Sequence, residues 1–285
     1  MIQYYVHPKR KTKVVFVQLG SPSEPTTKAL RKYLRKFLGD PRVVDINPWL
    51  WKIILNFFVL PFRPQKSAKL YARIWDGKSF PLITNTKNFT KSVSEELKKI
   101  DPKGHVEVNH AFLLSPPYVN EVYDSWEEDL KKGVGATKLL VIPMFPQYSE
   151  STIASGIDAL AKELSKRVKI PTFEVITNFH RTHAFIDNSV NKVDSKLKEL
   201  KIEGKKIDSL VITFHGMQKR RVVNKGDDYY RHCYETFCLI TNNLKNINPE
   251  QCMMSFQSRF GSEEWITPYT EDVVKKLISE EKKEI

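Results

Sequence analysis

The chain has 285 residues, 41% of them hydrophobic, and a formal charge of +13. That length fits one large domain or two smaller ones around a sizeable core, and the apolar content is that of an ordinary globular protein. No zinc-finger spacing and no RNP-like aromatic strand accompanies the charge, so nucleic acid is not an expected partner; lysine-rich solvated helix faces such as Lys28, Arg31, Lys32, Arg35 and Lys36 account for much of it.

The first residues, MIQYYVHPKRKTK, lack the apolar run of a secretory leader, which predicts a cytoplasmic protein. A short apolar run, Val14–Leu19, then reads as a buried strand ending at the breaker Gly20-Ser21-Pro22. Thr26 or Thr27 caps a helix with the apolar stripe Leu30, Leu34, Phe37 and Leu38, and Val43–Ile46 reads as a short strand. The most apolar stretch, WLWKIILNFFVLPF from Trp49 to Phe62, is too short to span a bilayer and is flanked by Arg42, Arg63 and Lys66. It reads as a buried helix, a lid over an apolar pocket or an interfacial segment. Helical patterns follow at Lys66–Trp75 and Asn85–Ile100, then strands at Val106–Leu114 and Leu139–Pro143 separated by a helix at Val119–Lys132. A helix over Thr152–Arg167 leads on to strand Phe173–Ile176 and helix Ala184–Leu200. Strand Ser209–Phe214 precedes helix Tyr229–Leu244, and strand Met253–Phe256 precedes a last helix from Thr270.

This alternation predicts an α/β protein of two doubly wound, Rossmann-like halves with parallel sheets, residues 1–170 and 171–285, and a cleft between them. The second half supplies three strands before the charged end EEKKEI, so its last β-α unit is expected to be missing. The three cysteines, Cys233, Cys238 and Cys252, form no Cys-x-x-Cys pair, which argues for reduced thiols and against a disulfide framework.

Open α/β sheets bind ligands beyond the carboxyl ends of their strands. The residues so placed are Leu19, the loop Phe145-Pro146-Gln147-Tyr148-Ser149, His180, His215 and Gln257-Ser258-Arg259. His215 is the strongest candidate: it follows the apolar strand LVITF and precedes Gly216, and an imidazole there takes protons near neutral pH or ligates iron, zinc or nickel. His180 and His183 form an His-x-x-His pair with no carboxylate nearby in sequence, so helix N-terminal packing is its expected role. The absence of Gly-x-Gly-x-x-Gly, P-loop and Gly-x-Ser-x-Gly removes the usual support for nucleotide-dependent and serine-hydrolase readings.

Four stretches, in order, resemble the ferrochelatase family from Lys13 to Leu277. Val17-Gln18-Leu19-Gly20-Ser21-Pro22 is similar to its "NLGTP", and Met144-Phe145-Pro146-Gln147-Tyr148-Ser149 to its "PQYS" loop. Phe214-His215-Gly216 with Lys225-Gly226-Asp227-Asp228-Tyr229 resembles the stretch around the family's active-site histidine. Phe256-Gln257-Ser258-Arg259-Phe260-Gly261, with Trp265 and Pro268-Tyr269-Thr270, resembles "QSRFG…W…PYT". The resemblance implies a chelatase fold and insertion of Fe2+, a substrate, into protoporphyrin IX to form protohaem. It implies His215 as the catalytic and metal-binding histidine, Arg63, Lys66 and Ser79 as partners of the propionates, and Leu19, Tyr148 and Trp265 as residues lining the macrocycle, with Gln147 and Ser149 in the same substrate-binding loop. No tightly bound cofactor and no iron–sulfur cluster is expected, and the Trp49–Lys66 segment suits peripheral contact with a membrane.

Three departures stand out. Phe80 is inserted in Lys78-Ser79-Phe80-Pro81, Phe112 occupies a place where many members carry a basic residue, and the family's later segment with the glutamate opposite the histidine is expected to be absent. Glu263, Glu264, Glu271 and Asp272 do not align with that glutamate. The alternatives are a non-catalytic porphyrin- or haem-binding protein derived from this family and a related chelatase for another metal or tetrapyrrole.

Overall fold

The computed structural model describes residues 11–132, 138–259 and 261–280. The basic stretch 1–10, Phe260 of the QSRFG motif and the charged end 281–285 lie outside the described residues. The chain divides into two compact units: one runs to Phe145 and resumes over Glu150–Thr177, the other comprises Pro146–Ser149 and continues from Asn178.

The first unit is built on a parallel sheet in the order β2-β1-β3-β4, made of Thr12–Gln18 (β1), Val106–Phe112 (β2), Lys138–Pro143 (β3) and Thr172–Val175 (β4). β1 is central because Val14 to Val17 are buried on both faces, as an apolar run between two helix layers must be. One face is covered by α5 (Val119–Lys131) and α6 (Ser155–Leu164), whose Val122, Tyr123, Trp126, Leu160 and Leu164 pack on Val15, Val17 and Val141. The other face meets α4 (Pro81–Ile100), where Phe89 packs edge-on against Phe16 at 5.1 Å. Thr86 and Thr90 of α4 are buried but satisfied, donating to the carbonyls of Leu82 and Thr86.

α1 (Thr27–Leu38) is capped by Thr26, whose hydroxyl accepts from the Ala29 N–H at 3.3 Å. Val43–Ile46 is not the strand the sequence predicts: the N–H groups of Val43 and Val44 both donate to the Asp40 carbonyl, and the Asp40 carboxylate accepts from Arg42, so the segment closes as a turn. α2 (Pro48–Ile54) follows, capped by Asn47, and runs through one wide π-type turn, Leu55–Val59, towards α3 (Arg63–Ala72). Leu55 and Leu60 bury themselves against Tyr33, Leu34 and Leu38 of α1.

The second unit holds β5 (Leu210–His215) and β6 (Cys252–Gln257), paired in parallel so that His215 lies opposite Gln257. β4, expected in the second half, hydrogen-bonds in parallel to β3 in the first sheet. The second sheet therefore has two strands among the described residues, not three. α7 (His183–Ile202) and α9 (Tyr229–Thr241) pack together through Ile186, Val190, Leu197 and Ile240. A short α8 (Lys219–Val223) follows β5. α10 (Thr270–Ser279) is anchored by the Thr270 hydroxyl, which is 2.7 Å from that of Thr213 and 2.9 Å from that of Ser255.

Candidate active site

In the first unit β1 lies between β2 and β3, so the chain leaves it first to one side and then to the other. The carboxyl ends of these strands form a topological switch point, the usual ligand crevice of such a sheet. Half-buried Leu19 follows β1 there, and a cavity of about 430 Å³ opens beside it, lined by Leu19, Phe37, Phe112, Leu114, Tyr118 and Lys36 among others. Gly20 has φ +90°, and a Cβ on it would run into the Ser115 hydroxyl and stand 3.0 Å from Phe112 Cβ, so the turn after Leu19 requires glycine. Phe112 is fully buried, so it supplies wall and no charge.

Arg63 and Lys66 are three residues apart on α3 and therefore share a face, Arg63 half-buried and Lys66 exposed. Half-buried Ser79 closes the loop between α3 and α4: its N–H and that of Lys78 donate to the Asp76 carboxylate, whose pKa these bonds lower. Phe80, the insertion, is 1% exposed and packs edge-on to Trp75 at 4.7 Å and Tyr71 at 5.5 Å, locking the Ser79 loop onto α3. Before α3, α2 and its wide turn turn apolar side chains outward: Trp49 is 78% exposed and Phe57 70%, with Leu50, Ile53, Phe58 and Phe62 also exposed. Of the three readings of this stretch, the fully buried helix is excluded by that exposure.

In the second unit His215 ends β5. Its residue surface is open to solvent, yet the protein mass around the ring desolvates it and holds its pKa below the ordinary imidazole value. The unprotonated ring is therefore the prevailing form at neutral pH. The backbone beneath it is tightly fixed. The Gly216 N–H donates to the Gln257 carbonyl at 2.7 Å, and the Tyr229 hydroxyl shares a hydrogen bond with the backbone of His215. A Cβ on Gly216 would stand 2.8 Å from Gln257 O and 3.0 Å from Trp265 Cε3, so only glycine lets these segments close. Trp265 is 8% exposed and pairs through its backbone with Gln218, while Phe256 pairs with Tyr269 and donates its N–H to the Pro268 carbonyl. The QSR, Trp265 and Pro268-Tyr269-Thr270 elements thus frame the ends of β5 and β6. Ser258, just past β6, adopts φ +69°, a strained conformation for a residue with a side chain.

The Pro146–Ser149 loop belongs to this unit. Gln147 Nε2 donates to Thr236 Oγ1 at 3.0 Å, the Tyr148 N–H donates to His232 Nδ1 at 3.1 Å, and Ser149 is buried. Sequence reasoning missed the α9 residues that make these contacts. Their one signal was the helical spacing of His232, Cys233 and Thr236, which form a buried stripe. It also missed Glu235 as the carboxylate partner of His180, 2.7 Å from its Nε2, since the two are 55 residues apart. His183 opens α7, and no pairing joins it to His180 as a ligand set. Burial pushes the Cys233 thiol up to about 12, leaving it a packing group. Among the described residues no group of three or more histidine, cysteine, aspartate or glutamate side chains converges to hold a metal ion, and no helix is long and apolar enough to cross a membrane.

The ferrochelatase family model matches residues 11–285. The chain is 39% identical over 267 residues to a ferrochelatase of Idiomarina loihiensis, covering 94% of this chain and 70% of that one. It is 36% identical over 264 residues to a ferrochelatase of Marinobacter nauticus, covering 93% and 68% of the two chains. It is also 36% identical over 278 residues to a coproporphyrin III ferrochelatase of Streptococcus mutans, covering 97% and 81%. Among solved structures, SirB from Bacillus subtilis with Fe3+ is similar at 14% identity and a TM-score of 0.45, over 94% of this chain and 71% of that one, too slight a likeness to carry an argument.

Proposed function

The chain belongs to the ferrochelatase family, enzymes that insert metal into porphyrin, and on that premise we propose that it inserts ferrous iron into protoporphyrin IX to form protohaem. The observation that carries the site assignment is His215: a histidine at a strand's carboxyl end, kept unprotonated by desolvation, on a backbone fixed by Gly216 and Tyr229. Two pyrrole N–H protons leave as the metal enters; the neutral imidazole accepts them one at a time at the ring face and releases each to solvent before taking the next. Before any proton is taken, the same nitrogen lone pair is available as a transient ligand for the incoming iron, and the two roles exclude each other in time. Arg63, Lys66 and Ser79 take the propionates through charge-assisted hydrogen bonds. Leu19, Gln147, Tyr148, Ser149 and Trp265 belong to the macrocycle's surroundings, Trp265 chiefly as the buried support of the His215 turn. Iron is substrate in this scheme, and no resident cofactor or iron–sulfur cluster takes part.

Protoporphyrin IX carries two carboxylates and apolar vinyl groups, which suits a single basic pair beside an apolar α2. The relative from Streptococcus mutans, a coproporphyrin III ferrochelatase, favours a second reading with that four-carboxylate substrate. The outward apolar face of α2, which also carries the exposed Lys52, supports peripheral attachment of the protein to an anionic membrane from the cytoplasmic side. Sedimentation with anionic vesicles tests it, and no greater binding than to neutral vesicles would reject it.

The decisive experiment is anaerobic insertion of ferrous iron into protoporphyrin IX and, in parallel, coproporphyrin III, followed by absorbance, with His215→Ala alongside. Faster turnover of protoporphyrin IX, falling at least about 100-fold in the variant, is expected. Preference for coproporphyrin III would transfer the reading to that substrate. Tight porphyrin binding without insertion would make the chain a carrier.

A further inference from the structure

The loop carrying Tyr148 is fastened at three points within the second unit. The Pro146 carbonyl accepts from the Phe179 N–H at 3.0 Å. Gln147 Nε2 donates to Thr236 Oγ1, which itself donates to the His232 carbonyl at 2.8 Å. The Tyr148 N–H donates to His232 Nδ1. The last contact is the selective one, because an imidazole nitrogen accepts only when it carries no proton.

The surroundings of His232 disfavour a cationic ring, and the Tyr148 N–H at Nδ1 selects the tautomer that carries its proton on Nε2. Its ring is stacked on the His180 ring at 3.9 Å and 23°. Both rings are buried, His180 at 2% exposure and His232 at 4%. His180 Nε2 is engaged by Glu235, and Arg231 bonds Glu235 Oε1 at 2.9 Å while its Nη2 lies 3.2 Å from His232 Nε2, as a neighbouring positive charge and not as a hydrogen-bond donor to it. A second positive charge on His232 would face Arg231 and stand stacked on His180. Burial, then His180 and Arg231, lower its pKa against the smaller opposing pull of Asp228 and Glu235. Such an arrangement is costly as mere packing: His180 Nδ1 is buried without a hydrogen-bond partner, a loss an apolar ring pair would avoid.

We propose that His232, held against His180 and Glu235, is a positioning residue: its bare Nδ1 fixes the backbone from which Tyr148 is presented to the porphyrin. The inference rests on the ferrochelatase reading for its consequence but not for its geometry.

The test uses the full chain with His232→Leu, which removes the acceptor, and His232→Asn, whose Oδ1 replaces Nδ1. Hydrogen exchange of the Tyr148 amide, read on the peptide over residues 146–150, is expected to accelerate about tenfold in His232→Leu and to recover in His232→Asn. The KM for porphyrin is expected to rise several-fold in His232→Leu, with kcat and the KM for iron nearly unchanged, and to recover in His232→Asn. Unchanged Tyr148 exchange in His232→Leu, or an equal rise of KM in both variants, would overturn the proposal in favour of packing alone. Should His232→Leu fail to fold, the ¹⁵N spectrum of the unaltered chain decides: an unprotonated Nδ1 supports the proposal and a protonated one sinks it. Absence of insertion by the unaltered chain would count against the enzyme reading, while the exchange and ¹⁵N results would still decide this one.

Discussion

Adding one methyl group at Gly216 should cost about as much stability as deleting a core side chain in the second unit. The new Cβ would lie 2.8 Å from Gln257 O, 3.0 Å from Trp265 Cε3 and 3.4 Å from Trp265 Cζ3. The indole can shift by tenths of an ångström, but the Gln257 oxygen is backbone and already accepts the Gly216 N–H at 2.7 Å. Gly216→Ala must therefore spread β5 from β6 where their ladder ends. Overpacking of this kind costs about 1–3 kcal/mol, and weakening the hydrogen bond adds about 1 kcal/mol, giving roughly 2–4 kcal/mol. The assay is the guanidinium midpoint by circular dichroism, with Trp265→Leu and the double variant measured beside it. Because the closer clash is with backbone, Trp265→Leu should recover less than half of the loss. A Gly216→Ala midpoint equivalent to less than about 0.5 kcal/mol, or full recovery by Trp265→Leu, would refute the argument that backbone closure dictates the glycine.

Three further outcomes follow from the same geometry. Because the folded-state pKa of His215 is depressed, insertion should persist at pH values below the ordinary imidazole pKa and fall only on further acidification; a pH–rate profile breaking at or above the ordinary value would contradict the desolvation argument. The same sign applies to stability: between the ordinary imidazole value and the lower folded values of His110, His215 and His232, the unfolded chain binds more protons. The guanidinium midpoint should therefore decline as pH drops through that window, and less so in His232→Asn. Arg63→Ala and Lys66→Ala should each raise the porphyrin KM about three- to tenfold, an effect that shrinks with added salt because neither site is fully buried. Phe80→Ala should destabilise by about 3–5 kcal/mol, since Phe80 is 1% exposed between Tyr71 and Trp75; a loss below 1 kcal/mol would mean the Ser79 loop is not held by that ring.

The alternation of strands and helices was legible because each unit's core follows simple periods. β1 carries a continuous apolar run, Val14–Val17, and α1 carries Leu30 and Leu34 one turn apart on its buried face. What failed was decided by partners distant in sequence. Val43–Ile46 has strand-like residues, but Asp40 offers their N–H groups a nearer acceptor. Thr172–Val175 is too short to declare its sheet, and its pairing with β3 is a fact of tertiary structure. The Trp49–Phe62 stretch is as apolar as a core helix, and only the fold shows that Leu55 and Leu60 face α1 while Trp49 and Phe57 face outward.

At the candidate site the motifs named the right neighbourhoods and left out the residues that hold them. His215-Gly216 is visible as a histidine before a glycine, yet the need for that glycine comes from Gln257 and Trp265, some forty to fifty residues on. The same holds for Gln147 and Tyr148, whose attachments Thr236 and His232 lie on α9, more than eighty residues away. Both features obey one rule: a short segment that must present a side chain in one direction has its backbone N–H groups taken by acceptors from another element. Gly216 gives its proton to Gln257 O and Tyr148 gives its own to His232 Nδ1. The first acceptor is a carbonyl and is indifferent to pH, whereas the second is an imidazole that must stay unprotonated. Acid should therefore loosen the Tyr148 loop before it disturbs the His215 turn, so that porphyrin KM rises at a higher pH than the β5–β6 ladder fails.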